Sequence, residues 1–98
     1  MQEAREAGRP LALVTGVSSG IGFELARQFV EHGFDVVINA EDAELAAAER
    51  SLAGNGTEVR AVRADLSTYE GVEGLWTAVA GLGRALDTVA LNAGIGVN

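Results

Sequence analysis

The sequence predicts an α/β domain built on a doubly wound parallel sheet, and three observations carry that prediction. Short apolar runs alternate with amphipathic ones along the 98 residues, the pattern of strands joined by crossover helices. The first apolar run, Leu11-Ala12-Leu13-Val14, is continuous rather than alternating, as expected of a parallel strand covered on both faces. Between it and the amphipathic stretch Phe23 to Glu31 lies Thr15-Gly16-Val17-Ser18-Ser19-Gly20-Ile21-Gly22, so strand, glycine turn and helix follow one another directly. Right-handed crossovers leave few windings for four such units, and the expected strand order is 3-2-1-4. Residues 1–98 form one domain in this reading, without linker, repeat or low-complexity tract.

Each element has its own signal. The first strand covers Leu11 to Thr15. The helix behind the glycines runs from Gly20 to His32, with Ile21, Leu25, Ala26, Phe29 and Val30 on one face and Gly33 placed to end it in a left-handed cap. Asp35 to Asn39 forms the second strand around Val36-Val37-Ile38. Asp42 caps a helix whose inner face is Leu45, Ala48 and Leu52, and Gly54-Asn55-Gly56 terminates it. Val59 to Ala64 is a third strand, interrupted by Arg60 and Arg63 and so expected at an edge. Ser67-Thr68-Tyr69-Glu70 matches a capping box, and the helix behind it is expected to bury Val72, Leu75, Trp76 and Val79. Asp87 to Leu91 closes as the fourth strand.

Composition narrows the function. With 48% hydrophobic and 21% charged residues the chain is that of a folded globular domain. No apolar run approaches the ~18 residues of a membrane span, and Met1 to Arg9 lacks the basic-then-apolar character of a signal peptide, so the cytoplasm is the expected location. A net charge of −7, with seven scattered arginines and no lysine, opposes nucleic-acid binding. Cysteine is absent and there is one histidine, which leaves no cysteine or histidine cluster for a metal.

The glycine turn carries the chemistry. Glycines let backbone approach a pyrophosphate closely, and the helix start behind them offers unpaired N–H groups and the positive end of a dipole. Glu41 and Asp42 lie about 20 residues further on, at the end of the next strand, where an acid meets a ribose hydroxyl. The bland alternative, glycines serving only turn and packing, lacks an account of that context. Two other sites share parts of the pattern. Gly16-Val17-Ser18-Ser19-Gly20 also fits the G-x-S-x-G nucleophile elbow of α/β hydrolases, but the one histidine, His32, follows Ser18 on the same helix. At ~1.5 Å per residue it lies roughly 20 Å away. His32 is instead expected at the helix C-terminus, facing solvent. A phosphate loop of the NTPase type needs Lys-Ser or Lys-Thr where Ile21-Gly22 stands.

Thr15-Gly16-x-x-x-Gly20-Ile21-Gly22, Asp65-Leu66 after the third strand and Asn92-Ala93-Gly94 after the fourth together resemble the short-chain dehydrogenases/reductases. The resemblance spans nearly the whole chain and implies a Rossmann-type oxidoreductase. By it, Gly16, Ser18, Ser19, Ile21 and Gly22 line the pyrophosphate and the adenosine ribose. Asp65 accepts from the adenine amino group, with turn capping before Ser67 as the plainer alternative, and Leu66 packs near the ring. Asn92, Ala93 and Gly94 border the cofactor while Asn92 braces the central strands. Leu91 departs from the family's usual Asn-Asn-Ala-Gly.

The family's proton transfer uses a serine and Tyr-x-x-x-Lys. Tyr69 is followed four positions on by Glu73, and the chain has no lysine, so no catalytic residue is carried over; Tyr69 and Trp76 are taken as structural. The implied function is the NAD(P)-binding portion of an enzyme moving hydride between a nicotinamide cofactor and an alcohol or carbonyl substrate. A non-catalytic nucleotide-binding or interaction module is the alternative. A complete member is expected to be a homo-oligomer. Glu41 stands where an NADP enzyme of this family usually has arginine, and a carboxylate repels a 2'-phosphate, so the reading leans to NAD.

Overall fold

The computed structural model describes residues 9–17, 20–54 and 56–92. Four strands and three helices alternate: β1 (Leu11–Val14), α1 (Gly20–Glu31), β2 (Asp35–Ala40), α2 (Glu44–Leu52), β3 (Val59–Arg63), α3 (Tyr69–Ala80) and β4 (Thr88–Ala90). All pairings are parallel and the sheet order is β3-β2-β1-β4, as the sequence predicts. Every residue of β1 and β2 is buried, which is why these two central strands are written as unbroken apolar runs. Among the described residues, β3 and β4 are the edges. No helix is long and apolar enough to cross a membrane among those residues.

Two cores form, one on each face. Beneath α1 and α2 lie Ala12, Val14, Val36 and Ile38 with Ala26, Val30, Leu45, Ala48 and Leu52. Beneath α3 lie Leu11, Leu13 and Val37 with Leu75 and Val79. The α2 face is the one expected. On α1 the buried positions are Gly22, Ala26 and Val30, a stripe of small side chains at i, i+4 and i+8 that lets the helix sit close to the sheet. Ile21 is 71% exposed and Leu25 lies at the margin, so the expected face is rotated by one position. On α3 only Leu75 and Val79 are buried; Val72 and Trp76 are exposed, against expectation. The reason is coverage. Among the described residues α3 has no second helix beside it on its face of the sheet, so only its sheet-facing stripe is desolvated.

The helix ends are set by local chemistry. Gly33 takes φ +86° and ends α1, with the Phe34 N–H returning to the Phe29 carbonyl at 2.9 Å. Gly54 and Gly56 have φ of +89° and +82° after α2. The α3 cap is Thr68 rather than Ser67: its Oγ1 accepts from the Gly71 N–H at 2.9 Å. The expected capping box is therefore not formed: Ser67 is engaged by Asp65, and with Thr68 as the cap the third helical position is Gly71, which has no side chain to return the bond.

The amino end of the sheet is closed by ion pairs and caps. Asp35 accepts from the Glu58 N–H at 2.7 Å and from Arg84 at 3.0 Å. Arg84 also donates to the Arg9 carbonyl at 2.6 Å, and Asp87 accepts from the Leu11 N–H at 2.8 Å. These contacts hold β1, β2, β4 and the segment entering β3 in register.

Candidate functional site

The carboxyl end of the sheet is built differently. Gly16 leaves β1 at φ +68°, a left-handed conformation that disfavours any side chain. A Cβ there would lie under 3.0 Å from the Asn92 carbonyl oxygen, and one on Gly22 would lie under 3.0 Å from the Gly16 carbonyl oxygen and the Asn92 amide nitrogen. Gly16 is thus packed backbone to backbone against both Asn92 and Gly22, and Gly22 also lies against the Asn92 side-chain amide. Asn92 completes the joint: its Nδ2 donates to the Gly16 carbonyl at 3.2 Å and its N–H to Thr15 Oγ1 at 3.0 Å. The bracing role expected of Asn92 is present in this geometry.

Gly20 differs from its two companions. Among the described residues, a Cβ on Gly20 meets no atom within 4 Å, so their packing gives no reason for glycine at the start of α1. Nor does the first turn of α1 contain an acid, whereas the first turn of α2 holds Glu44 and that of α3 holds Glu70. Asp42 Oδ1 accepts from the Glu44 N–H at 3.2 Å, and Thr68 caps α3. The positive end of α1 is not neutralised by its own first turn.

A second group of residues stands at the ends of β2 and β3. Glu41 follows β2, is exposed, and its carbonyl accepts from Arg63 Nε at 2.9 Å. Asp65 follows β3; its Oδ1 accepts from the Ser67 N–H at 2.9 Å and from Ser67 Oγ at 2.7 Å. The Ser67 hydroxyl, then the Ser67 amide, hold the Asp65 carboxyl below the usual aspartate value. The turn-capping role is therefore filled by one oxygen of Asp65. The Asp65 carbonyl accepts from Thr68 Oγ1 at 2.9 Å, and a Cβ on Gly71 would lie under 3.0 Å from it. Leu66 is half-buried against the core beneath α3. Ile21 stands exposed on the first turn of α1. Ser18, Ser19, Ala93 and Gly94 lie outside the described residues. His32 is exposed past the end of α1, its Nδ1 2.7 Å from the Gln28 carbonyl oxygen, and Tyr69 is exposed at the start of α3.

Asn39 joins the two groups, and the sequence reading assigned it no role. It is 2% exposed in β2. Its Nδ2 donates to the Val62 and Ala64 carbonyls at 3.1 and 3.2 Å, while its own carbonyl accepts from the Val17 N–H at 3.0 Å. The signal was available: an amide within an otherwise apolar central strand must find partners, because an unpaired one costs several kcal/mol, roughly 1–3 in protein interiors.

With that geometry in hand, comparison with known proteins is decisive. A family model described as short chain dehydrogenase matches residues 10–98. The chain belongs to this family. A rhamnolipids biosynthesis 3-oxoacyl-(acyl-carrier-protein) reductase of Pseudomonas aeruginosa is 41% identical to this short-chain dehydrogenase over 88 residues, covering 90% of this chain and 34% of the relative. Dehydrogenase/reductase SDR family member 11 of Gallus gallus is 37% identical over 94 residues, covering 93% and 36%. Among solved structures, L-sorbose reductase from Gluconobacter frateurii complexed with NADPH and L-sorbose is similar with a TM-score of 0.83 at 36% identity, covering 91% of this chain and 35% of that one. The Pseudomonas aeruginosa RhlG/NADP complex is similar with a TM-score of 0.79 at 39% identity, covering 88% and 35%. The chain thus spans about a third of the length of the relatives it matches.

Proposed function

We propose that this short-chain dehydrogenase chain forms the dinucleotide-binding part of an oxidoreductase that moves hydride between a nicotinamide cofactor and an alcohol or carbonyl carbon. The observation that carries the reading is the joint Gly16–Gly22–Asn92 beside an open Gly20. It stands where β1 separates β2 from β4, the point at which strand order reverses and where doubly wound sheets take their ligands. The residues fit such a group. In this reading Gly16, Ser18, Ser19, Ile21 and Gly22 line the pyrophosphate at the start of α1, and Glu41 reaches the adenosine ribose. The second oxygen of Asp65 accepts from the adenine amino group, Leu66 lies beneath the ring, and Asn92, Ala93 and Gly94 border the cofactor. When bound, the nicotinamide supplies or accepts the hydride; the chain's residues bind and orient it.

No catalytic residue is assigned in the 98 residues, since Tyr69 has Glu73 four positions on and no lysine is present. The relatives' names supply the substrate class, alcohols and carbonyl compounds. They also bear on the cofactor: similar structures are described as complexes with NADPH and NADP, which gives the lean to NAD from Glu41 no support. A cytoplasmic location and a homo-oligomeric complete enzyme belong to the same proposal. Titration of the chain with NADPH and with NADH, followed by nicotinamide fluorescence, tests the reading. Saturable binding of either at micromolar concentration supports it; binding of neither by a folded chain refutes it.

A further inference from the structure

Six arginines fall among the described residues, and the chain has no lysine. Their partners sort them. Arg27 pairs with Glu24 and Glu31 on the surface of α1, Arg60 with Glu58, and Arg84 with Asp35 and Glu58. Arg9 precedes β1, and Arg50 lies in the last turn of α2, which an antiparallel crossover helix places towards the amino ends of the strands. Arg63 is different. It ends β3 at the carboxyl side of the sheet, paired in register with Ala40, and it is exposed.

Arg63 is also held in an unusual way. Its Nε donates to the Glu41 main-chain carbonyl at 2.9 Å, which fixes the guanidinium beside the β2 terminus. Among the described residues it makes no ion pair, although Glu41, Asp42, Glu44 and Asp65 all stand at this end of the sheet. A cation present only to offset those carboxylates would be expected to close on one of them. Instead the backbone anchor uses one N–H, and the four N–H groups of the two terminal nitrogens remain for another acceptor. A guanidinium held this way presents a fixed fork, the geometry that suits a phosphate.

We propose that Arg63 receives the 2'-phosphate of the adenosine ribose and so makes the chain prefer NADP(H) to NAD(H). The inference rests on the dinucleotide reading above. It places the cation on β3, reaching across to the position after β2 where the sequence itself offers only Glu41. It also explains how a rim with four acids accepts a more negative cofactor: the phosphate meets a directional bidentate donor at short range, while the exposed carboxylates around it are screened by solvent.

The test uses the 98-residue chain, with NADPH, NADH, adenosine 2',5'-bisphosphate and AMP as probes, and the variants Arg63→Gln and Arg63→Lys. The wild type is expected to bind NADPH at least tenfold more tightly than NADH, and the bisphosphate more tightly than AMP. Arg63→Gln should lose at least tenfold for NADPH and the bisphosphate with less than a twofold change for NADH and AMP. Arg63→Lys, which keeps the charge without the fork, should fall between. Thermal midpoints within a few degrees of wild type show that the variants fold, and should Arg63→Gln unfold, the lysine variant carries the comparison. A wild type that favours NADH, or equal losses for both cofactors in a folded variant, overturns the role of Arg63 while leaving the dinucleotide reading intact. A folded wild type that binds none of the four probes overturns both.

Discussion

The two ends of the sheet solve the same problem in opposite ways. At the amino end, charged side chains close on one another and on the backbone: Asp35 with Arg84 and the Glu58 N–H, Asp87 with the Leu11 N–H. At the carboxyl end, the buried bracing is done by neutral amides, Asn39 and Asn92, each tying two strand ends together, and the charged Arg63 adds only an exposed contact with the Glu41 carbonyl. Amides need partners as much as charges do, but they bring no net field. The charged groups of the carboxyl rim, Glu41, Asp65 and Arg63, are therefore left at the surface, and the amino end serves the scaffold alone. Substitutions should separate the two ends cleanly.

The largest effect is expected where fold and site coincide. Gly22→Val puts a branched Cβ into the Gly16 carbonyl and the Asn92 amide, so the turn must shift or the helix must lift from the sheet. Overpacking of this kind costs about 3 kcal/mol. Thermal unfolding should show a large drop in midpoint together with loss of nucleotide binding. Retention of wild-type stability would mean that the joint is looser than its backbone contacts imply.

Asp35→Ala comes next and acts on the other end. It removes an acceptor from the Glu58 N–H and leaves the partly buried Arg84 without its nearest carboxylate. The loss of a charge-assisted pair of bonds corresponds to about 2 kcal/mol. Nucleotide affinity of the folded fraction should change less than twofold. A matching loss of affinity would show that the two ends are coupled through the strands and would undo the division drawn above.

How far the sequence exposed this division depends on the kind of signal. Strands β1 and β2 and the order of the sheet were legible because burial on both faces writes itself as continuous apolar runs. The glycine turn was legible because φ > 0 and close backbone approach admit little else. The α3 face was misread at Val72 and Trp76: periodicity gives the width of an apolar stripe, but which part of it is covered depends on neighbouring elements. The capping residue moved from Ser67 to Thr68 because Asp65, two residues earlier, takes the Ser67 hydroxyl in a local turn, so that two capping patterns overlap in one stretch of sequence. Arg63 counted only as an interruption of β3, since its partner is a backbone carbonyl 22 positions away.

Gly20→Ala gives a smaller and more selective effect. With no atom of the described residues within 4 Å of the added Cβ, and with alanine favoured over glycine within helices by up to ~1 kcal/mol, stability should hold or rise slightly. Affinity for NADPH should nonetheless fall several-fold if the space beside Gly20 belongs to the pyrophosphate. Gly22→Val and Gly20→Ala thus separate two reasons for glycine, one set by the protein's own backbone and one that the proposed reading assigns to the ligand. Unchanged affinity in a stable Gly20→Ala chain would detach the open space from nucleotide binding.

The effect most sensitive to pH concerns Asp65, one oxygen of which holds the turn while the proposed reading gives the other to the adenine. Its carboxyl is held below the ordinary aspartate value, first by the Ser67 hydroxyl and then by the Ser67 amide. A depressed folded value means that the carboxylate's contribution to the turn is fully present above the ordinary value and is lost as pH falls through the lowered one. Asp65→Asn keeps an acceptor for the Ser67 N–H but abolishes the charge. The stability gap between wild type and variant should therefore be small but measurable at neutral pH and should close below about pH 4 as the wild-type carboxylate is protonated. In the proposed reading the exchange also puts a donor where the adenine amino group needs an acceptor, so NADPH affinity at neutral pH should drop about tenfold, the loss of one hydrogen bond. Because the turn survives, that drop reports on the second oxygen alone. A stability gap that persists unchanged in acid would assign the difference to the amide itself rather than to the lost charge, and an unaltered affinity would leave Asp65 with its turn-capping role only.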